Sequence, residues 1–469
     1  MSYTPTIGLE VHAELNTESK MFCGCTNQPH GSEPNSFICP VCMAHPGTLP
    51  VPNEQAIEMV LKFGQAVNAT PAKFSEFDRK NYFYPDIPKA YQISQYAFPF
   101  LEGGKLKGVE LTRVHLEEDT ARSQHNKGTG SLVDFNRAGV PLMELVTEPV
   151  IHDSDTASAF AKELQLLLRT LGISKANMEK GEMRVEANIS VSKDNTLGTK
   201  VEVKNLNSFK AVEGAINYEI KRQTEMLEAG KELAQETRGW DENKARTFSQ
   251  RSKETAKDYR YFPDPDIPKI DVSNHTEFST TRLSENTPVL PDIKRLNYKN
   301  LGLPSAAIET IISSEELDNY FANVASDETL SSEVIKLSAN YLTSDIAALL
   351  NEKGLKLADL RPLYFVELMT MLVDDKIGSR VAKDLLAGLF GSSEGPLKIA
   401  MDRNLLQMSD GDSLQPVIDE IISENQSVVD EVRSGKEAAV QFLVGQGMKK
   451  TKGAANPGML KKMFIESIK

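Results

Sequence analysis

The chain has 469 residues, 40% of them apolar and 25% charged, and a net charge of −13. That length exceeds one ordinary core and predicts two to four domains with the composition of a soluble globular protein. No apolar run reaches the ~18 residues that span a membrane, the start MSYTPTIGLEVH lacks a basic-then-apolar export pattern, and the expected compartment is the cytoplasm.

The first ~290 residues read as mixed sheet and helix. Ile7, Leu9, Val11, Ala13 and Leu15 alternate with Glu10, His12 and Glu14, the period of a half-buried strand. Met183, Val185, Ala187, Ile189 and Val191 alternate in the same way with Arg184, Glu186, Asn188 and Ser190. The turn SKDNTLGTK follows, then Val201 and Val203 between Lys200, Glu202 and Lys204, which predicts an antiparallel hairpin. Between the strands, Asp153 or Ser154 caps a helix that carries Phe160, Leu164, Leu167, Leu168 and Leu171 on one side and stops at Gly172. Ser208 caps another that runs to Gly230. Proline is dense from 263 to 304, which marks a boundary or a pinned extended segment. After ~295 the pattern becomes helix on helix, with breaks expected at Gly391–Pro396 and Asp410–Asp412.

The four cysteines of the chain all lie between 23 and 42, as C-x-C (Cys23, Cys25), thirteen residues, then C-x-x-C (Cys39, Cys42). Two close pairs across a loop suit a tetrathiolate Zn²⁺ site. Four buried thiols or two disulfides are the alternatives, and the lack of an export signal disfavours the disulfides.

The acidic balance argues against a broad nucleic-acid surface. Charge is unevenly placed, however. Residues 431–469 carry +5, residues 401–430 carry −6, and the first 430 together carry −18. The tail is either a solvated basic helix or a polyanion contact.

Several segments are rich in polar groups and too poor in apolar ones to form core: DRKNYFYPDIPKAYQIS, HLEEDTARS and DFNRAGVPLMELVTEP. A single strand with Glu and His on its wet face is commonly a solvated edge; several in one domain point to a polar site. Glu10, His12, Glu118 and Glu144 make an oxygen-rich set with one imidazole, which suits Mg²⁺ or Mn²⁺. Arg79, Lys80, Arg122, Arg184 and Lys204 are candidates to clamp phosphate oxygens. Metal held by carboxylates plus basic clamps is what phosphoryl transfer from ATP requires. With no GxxxxGK[ST] loop and no GxGxxG opening a helix, a nucleotide would bind a sheet face through metal.

These segments, with TIGLEVHAEL, MRVEANISV, EVKNLNSF, QETRGWD and DYRYFPDPDIP, occur in an order that resembles the B subunit of the tRNA-dependent amidotransferases. The resemblance extends through the tail, VRSGKEAAVQFLVGQGMKKTKGAANPGMLKKMF, and so covers essentially the whole chain. It implies an α+β fold: a glutamine-synthetase-like cradle on an antiparallel sheet (1–292), an all-α helical domain (293–405) and a small helical tail that binds tRNA (406–469). It implies ATP-dependent phosphorylation of the side-chain carboxylate of Glu-tRNA(Gln) or Asp-tRNA(Asn), followed by amidation. The ammonia would come from a separate amidase, the A subunit, strapped to this chain by a small third protein, the C subunit.

Matched motif by motif, Glu10, His12, Glu118 and Glu144 fall on the family's magnesium positions, and the four cysteines on its zinc loop. Lys80, Arg184, Glu186, Lys204, Asn205 and Asn207 fall on its polar cradle wall, and Lys449, Lys450 and Lys452 on its tRNA-contacting tail. Three places depart from the usual pattern: Ala121–Arg122 for Gly-Lys, Glu186 for Asp, and Ala90 for Gly. A stand-alone carboxylate–amine ligase would leave the basic tail unexplained. A non-catalytic zinc-containing RNA-binding subunit would leave the Glu/His strand faces idle. A stand-alone amidase lacks a Ser nucleophile with its Lys.

Overall fold

The computed structural model describes residues 3–127, 130–194, 196–252, 258–285, 287–407, 411–451 and 455–468. The chain divides into two compact units, Met1–Pro291 and Asp292–Lys469.

The first unit is built on one large sheet. Its main strands are β1 (Thr4–Glu14), β4 (Val109–Glu118), β5 (Pro141–Thr147), β6 (Met183–Ser192), β7 (Val201–Leu206), β8 (Glu236–Asp241) and β9 (Arg246–Ser252). A smaller sheet contains β2 (Asp78–Asn81) and β3 (Tyr91–Ser94). The large sheet runs β9-β8-β7-β6-β1-β5-β4, extended at the β4 edge by three short strands. Strand β1 is therefore central, between β6 and β5, both antiparallel to it.

The alternation seen in the sequence holds. Ile7, Leu9, Val11 and Ala13 of β1 are at most 1% exposed, and with Met183, Val185, Ala187 and Ile189 of β6 they form the core face. Helix α1 (Glu54–Ala66) adds Ile57 and Val60 to this core. Helices α2 (Ser154–Thr170) and α3 (Phe209–Glu228) contribute Phe160, Leu164, Leu168, Val212 and Ile216 to it. Truncating a buried phenylalanine such as Phe160 to alanine would cost about 3–5 kcal/mol. Helices α2 and α3 start where the sequence places their caps. Asp153 accepts from the Thr156 amide and Ser208 from the Ala211 amide, each satisfying an orphan donor of the first turn. They end before Gly172 and Gly230, both at positive φ.

The expectation of a purely antiparallel sheet needs correction. Strands β7 and β8 are parallel, while the other neighbours described above are antiparallel. The cause is connectivity: α3 lies between them, and a helical crossover returns the chain in the same direction. The β6–β7 hairpin itself is antiparallel as expected. It carries an extra residue: Val185 pairs with Leu206 but Ala187 with Val203. Asn205 sits in this bulge at φ +61°, a left-handed conformation unusual for a non-glycine residue.

In the second unit every regular element among the described residues is helical. The break at Gly391–Pro396 is present: one helix ends at Leu389, Gly391 takes positive φ, and Pro396 opens the next helix. Near the break expected at Asp410–Asp412 one helix ends at Asp402 and the next begins at Gly411. Asp412 lies in the first turn of helix Gly411–Glu424, and Asp410 lies outside the described residues. Leu414, Ile418, Ile421, Leu443, Leu460 and Phe464 pack as a separate core near the C-terminus. Among the described residues, no helix is long and apolar enough to cross a membrane.

Candidate active site

The face of the large sheet opposite the core is polar, and strand register decides what meets there. His12 is opposite Glu144 on β5 and Arg184 on β6; Glu10 is opposite Glu186; Glu144 is opposite His115 on β4. Three of the four expected metal positions come together. The donor atoms of Glu10, His12 and Glu144 lie within 4.8 Å of one another. The His12 Nε2 is 3.3 Å from Glu144, 3.5 Å from Glu117 and 3.9 Å from Glu10. His115 Nε2 reaches Glu144 at 3.3 Å.

Glu118 is not in this group. Val114 and Leu116 are buried in the core, so the period of β4 puts Arg113, His115 and Glu117 on the polar face. Glu118 is out of phase with them. Its carboxylate takes the Lys89 amine at 2.6 Å and the Ile93 amide at 2.9 Å. There it lines a different cavity, of about 200 Å³, with Cys23, Cys42, Lys89 and Gly139. Glu117, and not Glu118, lies beside His12, at 3.5 Å. The signal was in the motif: in VHLEED the apolar residues at 114 and 116 fix the phase.

A cavity of about 310 Å³ opens on the cluster. Glu10, Glu144 and Glu202 line it together with Lys80, Arg113 and Lys204. Lys204 pairs with Glu186 at 2.8 Å. The Arg113 Nε and the Glu117 Oε2 are buried without a hydrogen-bond partner. His115, Glu117, Arg113 and Glu202 were not among the sequence candidates. Arg184 shares the face but is committed to Asp119 at 2.6 Å. Arg79 is committed to Asp264 and Asp266, at 2.8 and 3.0 Å. Asn205 is exposed on its bulge, and Arg122 is exposed on a separate two-stranded ribbon.

Crowding of like charges shows in the protonation equilibria. Burial, then the charges of Glu144 and Glu186, push Glu10 up to about 7. Burial opposes the charge on His12, but its hydrogen bond to Glu144 and the charges of Glu144, Glu117 and Glu10 outweigh that and raise it to about 9. Burial likewise opposes ionisation of Glu144, and His115 and His12 overcome it, holding the carboxyl well below its usual range. Lys80 stays charged well above its usual range despite burial, because Glu117, Tyr261 and Glu144 face it. Packed carboxylates with one pushed toward neutrality, and a buried carboxylate oxygen left without a donor, fit a hard divalent cation.

The four cysteines also converge. Their sulfurs lie within 4.8 Å of one another and none is in a disulfide. The Cys42 thiol is drawn down to about 5, chiefly because Cys23 hydrogen-bonds to its sulfur, with the Cys39 amide and the Lys20 charge adding. Four soft sulfur donors, one already inclined to the thiolate, fit zinc.

The C-terminal lysines differ among themselves. Lys449 is exposed in the last turn of helix Glu437–Lys450. Lys450 is also exposed, and it pairs with Glu420 at 2.7 Å and Glu424 at 3.0 Å. Lys452 lies outside the described residues.

A sheet face that gathers carboxylates, imidazoles and lysines around one cavity has the donor types of a class of sites that use a divalent metal on charged substrates. Comparison with known proteins narrows it. Residues 5–277 match the family described as the GatB/GatE catalytic domain, and residues 319–468 match the GatB domain. A protein of Caldanaerobacter subterraneus subsp. tengcongensis, named as the B subunit of aspartyl/glutamyl-tRNA(Asn/Gln) amidotransferase, is 42% identical over the full length of both chains. Proteins of the same name from Moorella thermoacetica and Thermodesulfovibrio yellowstonii are 42% and 41% identical, again over the full length of both chains. The chain belongs to this family of amidotransferase B subunits.

Proposed function

We propose that this chain activates and amidates the side-chain carboxylate of Glu-tRNA(Gln) or Asp-tRNA(Asn), as the B subunit of a heterotrimer. Its partners would be an amidase (the A subunit) and a small strapping protein (the C subunit). The observation that carries the reading is the Glu10–His12–Glu144 cluster, whose Glu10 and Glu144 line one cavity with Lys80 and Lys204. A free carboxylate is a poor acyl donor, because its leaving group would be oxide. Transfer of the γ-phosphoryl of ATP to the carboxylate gives an acyl phosphate. Ammonia then attacks the acyl carbon, the C–O bond to phosphate breaks, and the amide forms with loss of a proton from nitrogen.

In this reading Glu10, His12 and Glu144, with Glu117 in place of Glu118, hold Mg²⁺, which when bound neutralises phosphate charge. Lys80 and Lys204 are placed to take phosphate oxygens, with Arg113 beside them. Glu186 positions Lys204, and Asn205 presents its side chain from the bulge. The cysteine loop holds Zn²⁺ as a structural brace. Residues 1–292 act as a glutamine-synthetase-like cradle, 293–405 as a helical domain and 406–469 as a tail that takes the body of the tRNA, Lys449 and Lys452 being its candidate phosphate contacts. The setting would be the cytoplasm.

The decisive test is an amidation assay on both misacylated tRNAs. The isolated chain should form amide only with free ammonia; addition of the amidase and the small strapping protein should let glutamine suffice. Glutamine-dependent activity from the chain alone, or amidation of free glutamate in preference to Glu-tRNA, would overturn the reading. Removing residues from about 430 onward should weaken tRNA binding and flatten its salt dependence.

A further inference from the structure

The reacting cluster occupies only part of the cavity wall. Five of the twelve tyrosines in the chain form one continuous file of ring contacts beside it. The order is Tyr96, Tyr261, Tyr259, Tyr82, Tyr84, with successive ring centres 4.6, 6.1, 5.8 and 6.4 Å apart. Tyr96 and Tyr261 lie face to face, 14° from parallel. Tyr96, Tyr259 and Tyr261 line the cavity of the cluster. At the other end the file leaves the cavity: Tyr84 is 56% exposed and its neighbour Phe83 is 76% exposed.

Hydrophobic packing does not account for this placement, since both ends of the file face solvent. The inner rings are also held in position. Asn81 of β2 ties the loop at 259–260 through its backbone amide and through its side-chain amide, which donates to the Tyr259 and Arg260 carbonyls at 3.2 and 2.9 Å. The Lys80 ammonium lies 5.1 Å from the Tyr259 ring centre and 5.9 Å from that of Tyr82, so a cation accompanies the rings.

Partly exposed rings, a cation among them, and a path from solvent to a reactive pocket are what unpaired nucleotides bind. Bases stack on the rings while phosphates meet the amine. A duplex offers no free base faces, and ATP offers a single base, whereas this file has exposed rings at both ends.

The geometry points to a stacking track: the tyrosine file binds the unpaired 3′ end of the aminoacylated tRNA and carries it toward the Glu10–His12–Glu144 cluster. This rests on the proposed function and adds to it the residues that position the substrate. Tyr84 and Tyr96 are positioning residues; neither touches the reacting atoms.

The test uses the assembled three-subunit enzyme. Tyr84→Ala and Tyr96→Ala should each raise the KM for misacylated tRNA between about fivefold and about a hundredfold, the range for loss of one base–ring stack. The KM for ATP and glutamine hydrolysis by the partner should stay at wild-type values, and Tyr84→Phe and Tyr96→Phe should restore tRNA binding. A raised KM for ATP with unchanged tRNA binding would make the file an adenine subsite and overturn the track. Unchanged constants for both would reduce it to packing and equally overturn it. Should an alanine variant fail to assemble, binding of the wild-type enzyme to tRNA trimmed of its unpaired end decides: affinity should fall, and equal affinity refutes the track. Amidation by the wild-type enzyme is read separately, so failure of the proposed function is distinguishable from failure of this inference.

Discussion

The two clusters that fit metals are built in opposite ways. The cysteine cluster is drawn from twenty consecutive positions, Cys23 to Cys42, of one loop. The carboxylate–imidazole cluster is drawn from β1, β4, β5, β6 and β7, residues from Glu10 to Glu202. A local site is specified by residue type and spacing, and its donors are brought together by a short loop. A site on a sheet is specified by phase and register, so a residue of the right type one place along is on the wrong side.

The largest expected effect tests that statement directly. Glu117→Gln and Glu144→Gln should each lower amidation on the order of a hundredfold or more, by removing charge from the metal-facing side. In both variants magnesium affinity should fall, as read by titration. Glu118→Gln should leave magnesium affinity near wild type, because its carboxylate is held by Lys89 and Ile93. Loss of magnesium in the Glu118 variant and not in the Glu117 variant would invert the assignment of faces.

Next is the local cluster. Cys39→Ser should abolish stoichiometric zinc in metal analysis and lower the melting temperature, since metal binding free energy contributes to folding. Magnesium affinity should change little if the two clusters are as independent as their construction implies. Protein purified without chelator and containing no zinc would remove the site.

A smaller effect follows from the protonation states. Glu10 titrates at about 7 and His12 at about 9 before metal binds. Both must be deprotonated to ligate, so magnesium affinity should rise with pH between about 6 and 9 and binding should release protons. Calorimetry in buffers of different ionisation enthalpy reads the release; a pH-independent affinity would contradict the ligand set.

The smallest effect is conformational. Ala90 holds φ +60°, where a side chain is strained, which accounts for the glycine expected there. Ala90→Gly should stabilise the first unit by roughly 0.5–1 kcal/mol, within reach of chemical denaturation. Destabilisation would mean that the unfolded-state entropy of glycine outweighs the relieved strain.

Much of this was legible before any coordinates. The alternations of β1 and β6 and the Asp153 and Ser208 caps were read correctly, because each is a local pattern. The parallel pairing of β7 with β8 was not, since it follows from the path of α3 and not from either strand. Lys450 reads as a free cation until folding brings Glu420 and Glu424 to it from another helix. The tyrosine file joins residues 82–84 and 96 to 259–261, a separation that no short motif spans.

Glu117 and Glu118 stand back to back on β4, one facing the magnesium-type cluster and the other a cavity beside the cysteines. The thickness of one strand separates two different chemistries. This stretch of the gene is therefore sensitive to changes of length as well as of letter. Inserting one residue between Arg113 and Glu117 would keep the composition of β4 almost intact. It would nonetheless send the wrong carboxylate to each side, inactivating the protein without removing any residue the site requires.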